Sequence, residues 1–174
     1  MQTEVRSLAD RCHNIELLLL DVDGVLTGGE IALYDDQGGQ LKVFHVRDGT
    51  GLKCWRQAGK QTAIVSGRTA RSVKHRAREL GIELVFEGVP DKLVAYHELL
   101  NKTGFSSPQV CAIGDDLADL PVAQESGLAI GVADACPEIL RAAHFITCAP
   151  GGKGAVREAI ELILKCEGRW IVSR

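Results

Sequence analysis

The chain has 174 residues, 45% of them hydrophobic and 25% charged, with a formal net charge of −3. That length and balance fit one globular domain large enough to bury its own core. The negative charge argues against a general affinity for nucleic acid or anionic membranes, and two Trp, two Tyr and four Phe are too few for a base-stacking platform.

Residues 1–14 are polar, lack the pattern of a secretion signal and read as a short helix. Residues 16–22 contain Leu17-Leu18-Leu19-Leu20, an apolar run too short to span a membrane. Such a run reads as a strand buried on both faces, as in a parallel sheet. It delivers Asp21 to the carboxyl edge of the sheet, where open α/β folds bind ligands. Asp23 follows, and Gly24 permits a sharp turn. Two acids at one strand end repel unless a metal or a shared proton joins them, although an isolated Asp-x-Asp serves equally well to cap a turn.

Residues 30–34 and 41–46, joined through Asp35-Asp36-Gln37-Gly38-Gly39, read as a β-hairpin. It is the one element out of rhythm, and as a flap over residues 28–47 it should project above the acidic strand end. Residues 48–56 look helical and 61–65 form a strand that ends at Ser66-Gly67-Arg68. Thr69 can N-cap a helix running to Leu80 and closed by Gly81. A short strand at 84–86 precedes a helix over 91–102 that opens at Pro90-Asp91-Lys92 and closes at Gly104. A buried strand at 110–113 leads into Gly114-Asp115-Asp116, a helix over 117–125 and a strand at 128–130. Helices at 137–142 and 155–165, with 145–147 between them, finish the chain.

Strands separated by single helices imply right-handed crossovers and a Rossmann-like, doubly wound parallel sheet with helices on both faces. The six cysteines include no Cys-x-x-Cys pair and read as reduced thiols of a cytoplasmic protein, not as disulfides or a zinc site.

Four strand ends thus bring Asp21 and Asp23, Ser66, Lys92, and Asp115 with Asp116 and Asp119 to one edge. Taken singly, Ser66 and Asp116 are helix caps, Lys92 a surface lysine and Asp119 a first-turn acid favoured by the helix dipole. Together they suit phosphoryl transfer to a carboxylate. Asp21 and Asp115 can share a magnesium ion, Lys92 and Ser66 can hold phosphoryl oxygens, and Asp23 can protonate a leaving alkoxide and then activate water.

Asp-Val-Asp-Gly-Val-Leu-Thr, Ser66, Lys92 and Gly-Asp-Asp-Leu-Ala-Asp resemble, in order, the four motifs of the haloacid dehalogenase superfamily. The acid at Asp23 resembles its phosphatases and phosphomutases. The resemblance implies that Asp21 is the nucleophile and Asp23 the general acid/base. It implies Mg2+ held by Asp21, the Asp23 backbone carbonyl and Asp115, supported by Asp116 and Asp119. One helix and one strand between Ser66 and Lys92 leave no room for a cap domain.

The stretches Val46-Arg47-Asp48-Gly49, Ser66-Gly67-Arg68, Gly88-Val89-Pro90-Asp91-Lys92-Leu93, Gly114 to Val122 and Gly151 to Glu158 resemble one capless group. These are the 3-deoxy-D-manno-octulosonate 8-phosphate phosphatases of lipopolysaccharide synthesis. The resemblance implies a sugar-acid phosphate substrate, an aspartyl-phosphate intermediate, and a homotetramer whose flaps close neighbouring sites. The substrate carboxylate calls for extra cations, Arg68 and Arg47 ahead of Lys153, with Thr27 and Gly67 completing the substrate-binding set. Members often carry a longer glycine-bearing tail than the stretch that follows the last helix here. Two alternatives stay open: a sister phosphatase of nine-carbon sialate-type 9-phosphates, and a phospho-accepting receiver domain. Arg71, Lys74 and Arg78 share a helical face and read as a solvated surface.

Overall fold

The four consecutive leucines of β1 (Leu17–Leu20) are all buried, because this strand is the middle of a sheet covered on both sides. The structure, a computed structural model, describes residues 6–35 and 39–170. In chain order its elements are α1 (Leu8–His13), β1, β2 (Ala32–Leu33), β3 (Gln40–Leu41), α2 (Val46–Gln57), β4 (Gln61–Ser66), α3 (Arg71–Leu80) and β5 (Leu84–Glu87). The second half adds α4 (Lys92–Thr103), β6 (Val110–Gly114), α5 (Leu120–Glu125), β7 (Leu128–Gly131), α6 (Pro137–Ala142), β8 (Phe145–Ile146) and α7 (Ala155–Cys166).

The main sheet runs β5-β4-β1-β6-β7-β8 with every pairing parallel. Side chains alternate across it, as the pleat requires. Leu18 and Leu20 join Trp55, Val73, Ile160 and Ile163 of α2, α3 and α7 on one face. Leu17 and Leu19 meet Tyr96 and Leu99 of α4 on the other. Each fully buried leucine contributes roughly 1.5–3 kcal/mol, so the central strand is anchored from both sides. From β1 the chain builds outward through β4 and β5, then crosses back to β6 and builds the other way. That reversal opens a crevice at the carboxyl ends of β1 and β6, where doubly wound sheets bind their ligands.

Several boundaries differ from the sequence reading. The hairpin strands are two residues each, because His45 already N-caps α2, its ring accepting the Arg47 N–H at 3.3 Å. Residues 36–38 of the expected hairpin loop, and 1–5 of the expected first helix, lie outside the described residues. Thr69 does not cap α3. The N-cap is Ala70, whose N–H donates to the Glu87 carboxylate at 2.9 Å. The helix expected over 117–125 splits into a 3-10 turn and α5, with Pro121 in the first turn of α5, where its missing N–H costs nothing. Gly81 and Gly104 close α3 and α4 in the left-handed region, as expected. All six cysteines are free thiols, and no helix among the described residues is long and apolar enough to cross a membrane.

Candidate active site

Asp21 leaves the end of β1 with its N–H bound to Ile113 of β6 at 3.3 Å. Lys92, the first residue of α4, places Nζ 2.8 Å from Asp21 Oδ1 and 2.7 Å from Asp119 Oδ1. Asp119 Oδ2 accepts the backbone N–H groups of Asp115 at 3.1 Å and Asp116 at 3.5 Å. Asp115 follows β6, and carboxylate oxygens of Asp21, Asp115 and Asp119 lie within 4.8 Å of one another. Acids separated by most of the chain therefore meet at the crevice, bridged by one buried lysine. Ser66 sits buried at the end of β4, its Oγ accepting the Arg68 N–H at 3.2 Å, which leaves its own proton free to donate. Gly67 lines a groove of about 500 Å³ with Pro90, Leu117, Pro121 and Lys92, the lysine that also pairs with Asp21 and Asp119.

Asp23 does not join the carboxylate cluster. Its side chain pairs with Lys42 from the hairpin, and Arg68 Nε lies 3.9 Å from its other oxygen. Among the described residues no backbone N–H reaches the Asp23 carbonyl. Thr27, expected to bind substrate, is buried, its hydroxyl 3.2 Å from the Val22 carbonyl and 3.5 Å from Asp23 Oδ1. Asp116, expected to support the metal, is exposed, and its carboxylate accepts the Leu117 N–H at 2.8 Å. Arg47 is exposed and lies over the 153–154 turn, 3.5 Å from the Lys153 carbonyl, with no contact to the acids.

Two features were missed. Lys42 is one. The other is a glycine clasp: Gly24 has φ +92°, and a Cβ there would overlap the Asp115 carboxylate. A Cβ at Gly151 would overlap the Gly24 carbonyl in turn. Gly151 N–H donates to Asp134 at 2.8 Å and Gly152 N–H to the Val25 carbonyl at 2.9 Å, so the 150–154 loop buttresses the one that carries Asp21. The Gly151-Gly152 pair was the available signal, but only the fold shows what it packs against.

The sequence profile of the haloacid dehalogenase-like hydrolases matches residues 45–127. A 3-deoxy-D-manno-octulosonate 8-phosphate phosphatase of Yersinia pestis is 47% identical over 159 residues, which cover 91% of this chain and 84% of that protein. The chain belongs to this phosphatase family, within the haloacid dehalogenase-like hydrolases. The solved structure of the Yersinia pestis enzyme superimposes with a TM-score of 0.90 at 46% identity, covering 93% of this chain and 87% of that one. A Moraxella catarrhalis family member, solved in complex with magnesium ion, phosphate ion and KDO molecule, matches with a TM-score of 0.87 at 41% identity over 91% and 90% of the two chains. Membership removes the receiver-domain alternative.

The phosphatase family's acid cluster fits a divalent cation on this chain's own geometry. Three carboxylates face a single ammonium. Burial, followed by the charge of Asp119, pushes Asp21 up to about 6 against the pull of Lys92. Burial, then Asp21 and Asp119, pushes Asp115 up to about 8. Asp115 Oδ1 is buried without a hydrogen-bond partner among the described residues. An all-oxygen donor set with an orphaned carboxylate oxygen suits magnesium. Burial opposes the charge on Lys92, but Asp119 and Asp21 outweigh it and raise its pKa. Asp119 has both oxygens engaged, by Lys92 and by backbone N–H groups, which leaves Asp21 and Asp115 as the residues that would hold the ion, with Asp119 orienting them.

A pH-dependent metal effect follows. Both carboxyls sit above their usual 3.8, so the folded chain binds more protons than the unfolded one as pH rises from 3.8 to about 8. The cluster's contribution is intact below pH 3.8 and is progressively lost as pH climbs through about 6 and about 8. Saturating Mg2+ should raise the melting temperature by roughly 5–10 °C at pH 8, and by clearly less at pH 5. Calorimetry at both pH values checks this; an equal shift at the two, or none, contradicts it.

Proposed function

We infer that this chain hydrolyses 3-deoxy-D-manno-octulosonate 8-phosphate to the free sugar acid and inorganic phosphate, as a step of lipopolysaccharide synthesis. The observation that carries the reading is the Asp21–Lys92–Asp119 bridge beside Asp115, built at the switch point of the sheet. Magnesium is the cofactor: Asp21, Asp115 and the Asp23 carbonyl would hold it, and when bound it offsets the negative charge between the nucleophile and the phosphoryl group.

The residues then act in order. Lys92 Nζ and Ser66 Oγ hold phosphoryl oxygens, lysine as a compact charge and serine as a donor. An Asp21 carboxylate oxygen attacks phosphorus, forming the aspartyl phosphate as the bond from phosphorus to the sugar oxygen breaks. Asp23 gives its proton to that departing oxygen. It then removes a proton from water, whose oxygen attacks phosphorus. The bond to Asp21 breaks, releasing phosphate and restoring the carboxylate. Proton transfer of this kind contributes roughly 10²–10⁴ in rate.

The whole of residues 1–174 serves as one hydrolase domain, with 28–47 as a flap. Arg68, half-exposed beside Asp23, is the best placed cation for the substrate carboxylate. Arg47 has less support, since it leans on the 153–154 turn. Val43 is 80% exposed, Leu33, Tyr34 and Leu41 are also exposed, and Val46 at the start of α2 is 78% exposed, so the hairpin and the adjoining helix start present an apolar surface. That surface supports a homotetramer in which each flap approaches a neighbouring site. Six free thiols and the absence of a membrane-length helix among the described residues support a cytoplasmic setting.

The test is a comparison of kcat/KM for the eight-carbon 8-phosphate and a nine-carbon sialate-type 9-phosphate. The eight-carbon substrate is expected to win by at least about 10-fold, the discrimination a few misplaced pocket contacts provide. Equal or reversed preference moves the substrate to the nine-carbon sugar acids.

A further inference from the structure

The hairpin reverses the usual sidedness of a surface ribbon. Leu41 and Val43 point outward into solvent, while Gln40 and Lys42, one residue off in register, turn inward. Lys42 is the more unusual of the two: its side chain is 1% exposed, and it ends on Asp23 Oδ1. A lysine almost never buries completely unless it is paired, because the stranded charge costs several kcal/mol. Asp23 is therefore what makes the inward-turned flap tenable. The reverse also holds. Among the described residues, Asp23 Oδ1 receives only Lys42 and a long 3.5 Å approach of the Thr27 hydroxyl, and Arg68, half-exposed, stays 3.9 Å from Oδ2. Among the described residues, Lys42 is the close charged partner that fixes the orientation of this carboxylate.

We propose that Lys42 is a positioning residue for Asp23, so that acid–base catalysis depends on the flap being seated over the site. The proposal rests on the reading of Asp23 as the general acid/base. It follows from geometry: a general acid must lie within hydrogen-bond reach of the atom it protonates, and a displacement of about 1 Å costs on the order of 10²-fold. Nothing in the backbone of the loop holds the Asp23 carboxylate in that place. The flap's own contact does.

The experiment separates this role from a merely structural one by the leaving group. The sugar 8-phosphate expels an alkoxide, which needs the proton of Asp23. 4-Nitrophenyl phosphate expels a stable phenolate, which does not. Lys42→Met should lower kcat/KM for the sugar phosphate by roughly 10–100-fold and for 4-nitrophenyl phosphate by no more than about 3-fold. Lys42→Arg should recover most of the loss. In an Asp23→Asn background Lys42→Met should add nothing, since the two act as one unit. Circular dichroism and melting show whether each variant is folded, and the double variant reads coupling even if the flap is loosened. Equal losses on both substrates, an unchanged sugar-phosphate rate, or additive losses in the double variant would overturn the proposal. If the wild type hydrolyses 4-nitrophenyl phosphate but not the sugar phosphate, the substrate assignment fails, and any phosphate monoester with an alkoxide leaving group that it does hydrolyse serves in its place. A wild type inactive on every monoester removes the phosphatase reading and this proposal together.

Discussion

Asp21→Asn should leave a folded protein that releases no phosphate above background, a loss of at least about 10⁴-fold, on the scale seen when a catalytic nucleophile is removed. An amide cannot form the acyl phosphate, and no second carboxylate is placed to take over. Asp119 is saturated by Lys92 and two backbone N–H groups, and Asp115 is the carboxylate that would be taken up in holding the metal. The variant also tests the electrostatics. Asp21 is held above its usual pKa by burial and by Asp119, so removing its charge relieves repulsion in the metal-free protein. At pH 8 without magnesium the variant should therefore melt at or above the wild-type temperature while losing most of the stabilisation by Mg2+. A phosphate-release assay paired with calorimetry reads both. Substantial residual activity, or a collapse of stability, contradicts the assignment.

Gly24→Ala should also be damaging, although it adds one methyl group to a residue that carries no chemistry. The new Cβ would occupy the space of the Asp115 carboxylate, and alanine at φ +92° is strained by about 1–2 kcal/mol. The loop cannot retreat, because the Gly24 carbonyl is backed by Gly151, itself tied to Asp134. Asp115 must move instead, and it is a proposed metal ligand. The expected result is a fall in kcat of at least about 10²-fold, with much weaker stabilisation by magnesium, at a modest cost in melting temperature. Titrating Mg2+ against activity and against melting checks it; wild-type magnesium dependence would show that Asp115 tolerates displacement.

The parts of this molecule that were legible beforehand are those encoded by neighbours in sequence. Leu17 to Leu20 announce a doubly buried strand because burial on both faces removes any need for polar alternation. Gly81 and Gly104 mark helix ends because only a left-handed residue closes them cheaply. The convergence of Asp21, Ser66, Lys92 and Asp115 was readable because a parallel sheet sends every strand end to the same edge. What was hidden depends on approach between distant segments. Whether Asp116 or Asp119 turns inward is decided by the 3-10 turn that sets the first as a cap and sends the second to Lys92. Thr69 looked like a cap because nothing local reveals that Glu87 takes the Ala70 N–H. Nothing local reveals that the Thr27 hydroxyl reaches back to the Val22 carbonyl. The meeting of Lys42 with Asp23 follows from how the hairpin folds back, which no spacing in the chain encodes.

The most direct test is to find where the phosphoryl group goes. Enzyme quenched during turnover can be treated with borohydride, which reduces an acyl phosphate of aspartate to homoserine, and the peptides then weighed. The conversion should fall on Asp21, require magnesium, and vanish in Asp21→Asn. Conversion at Asp23 or Asp115, or none while phosphate is being released, would contradict it.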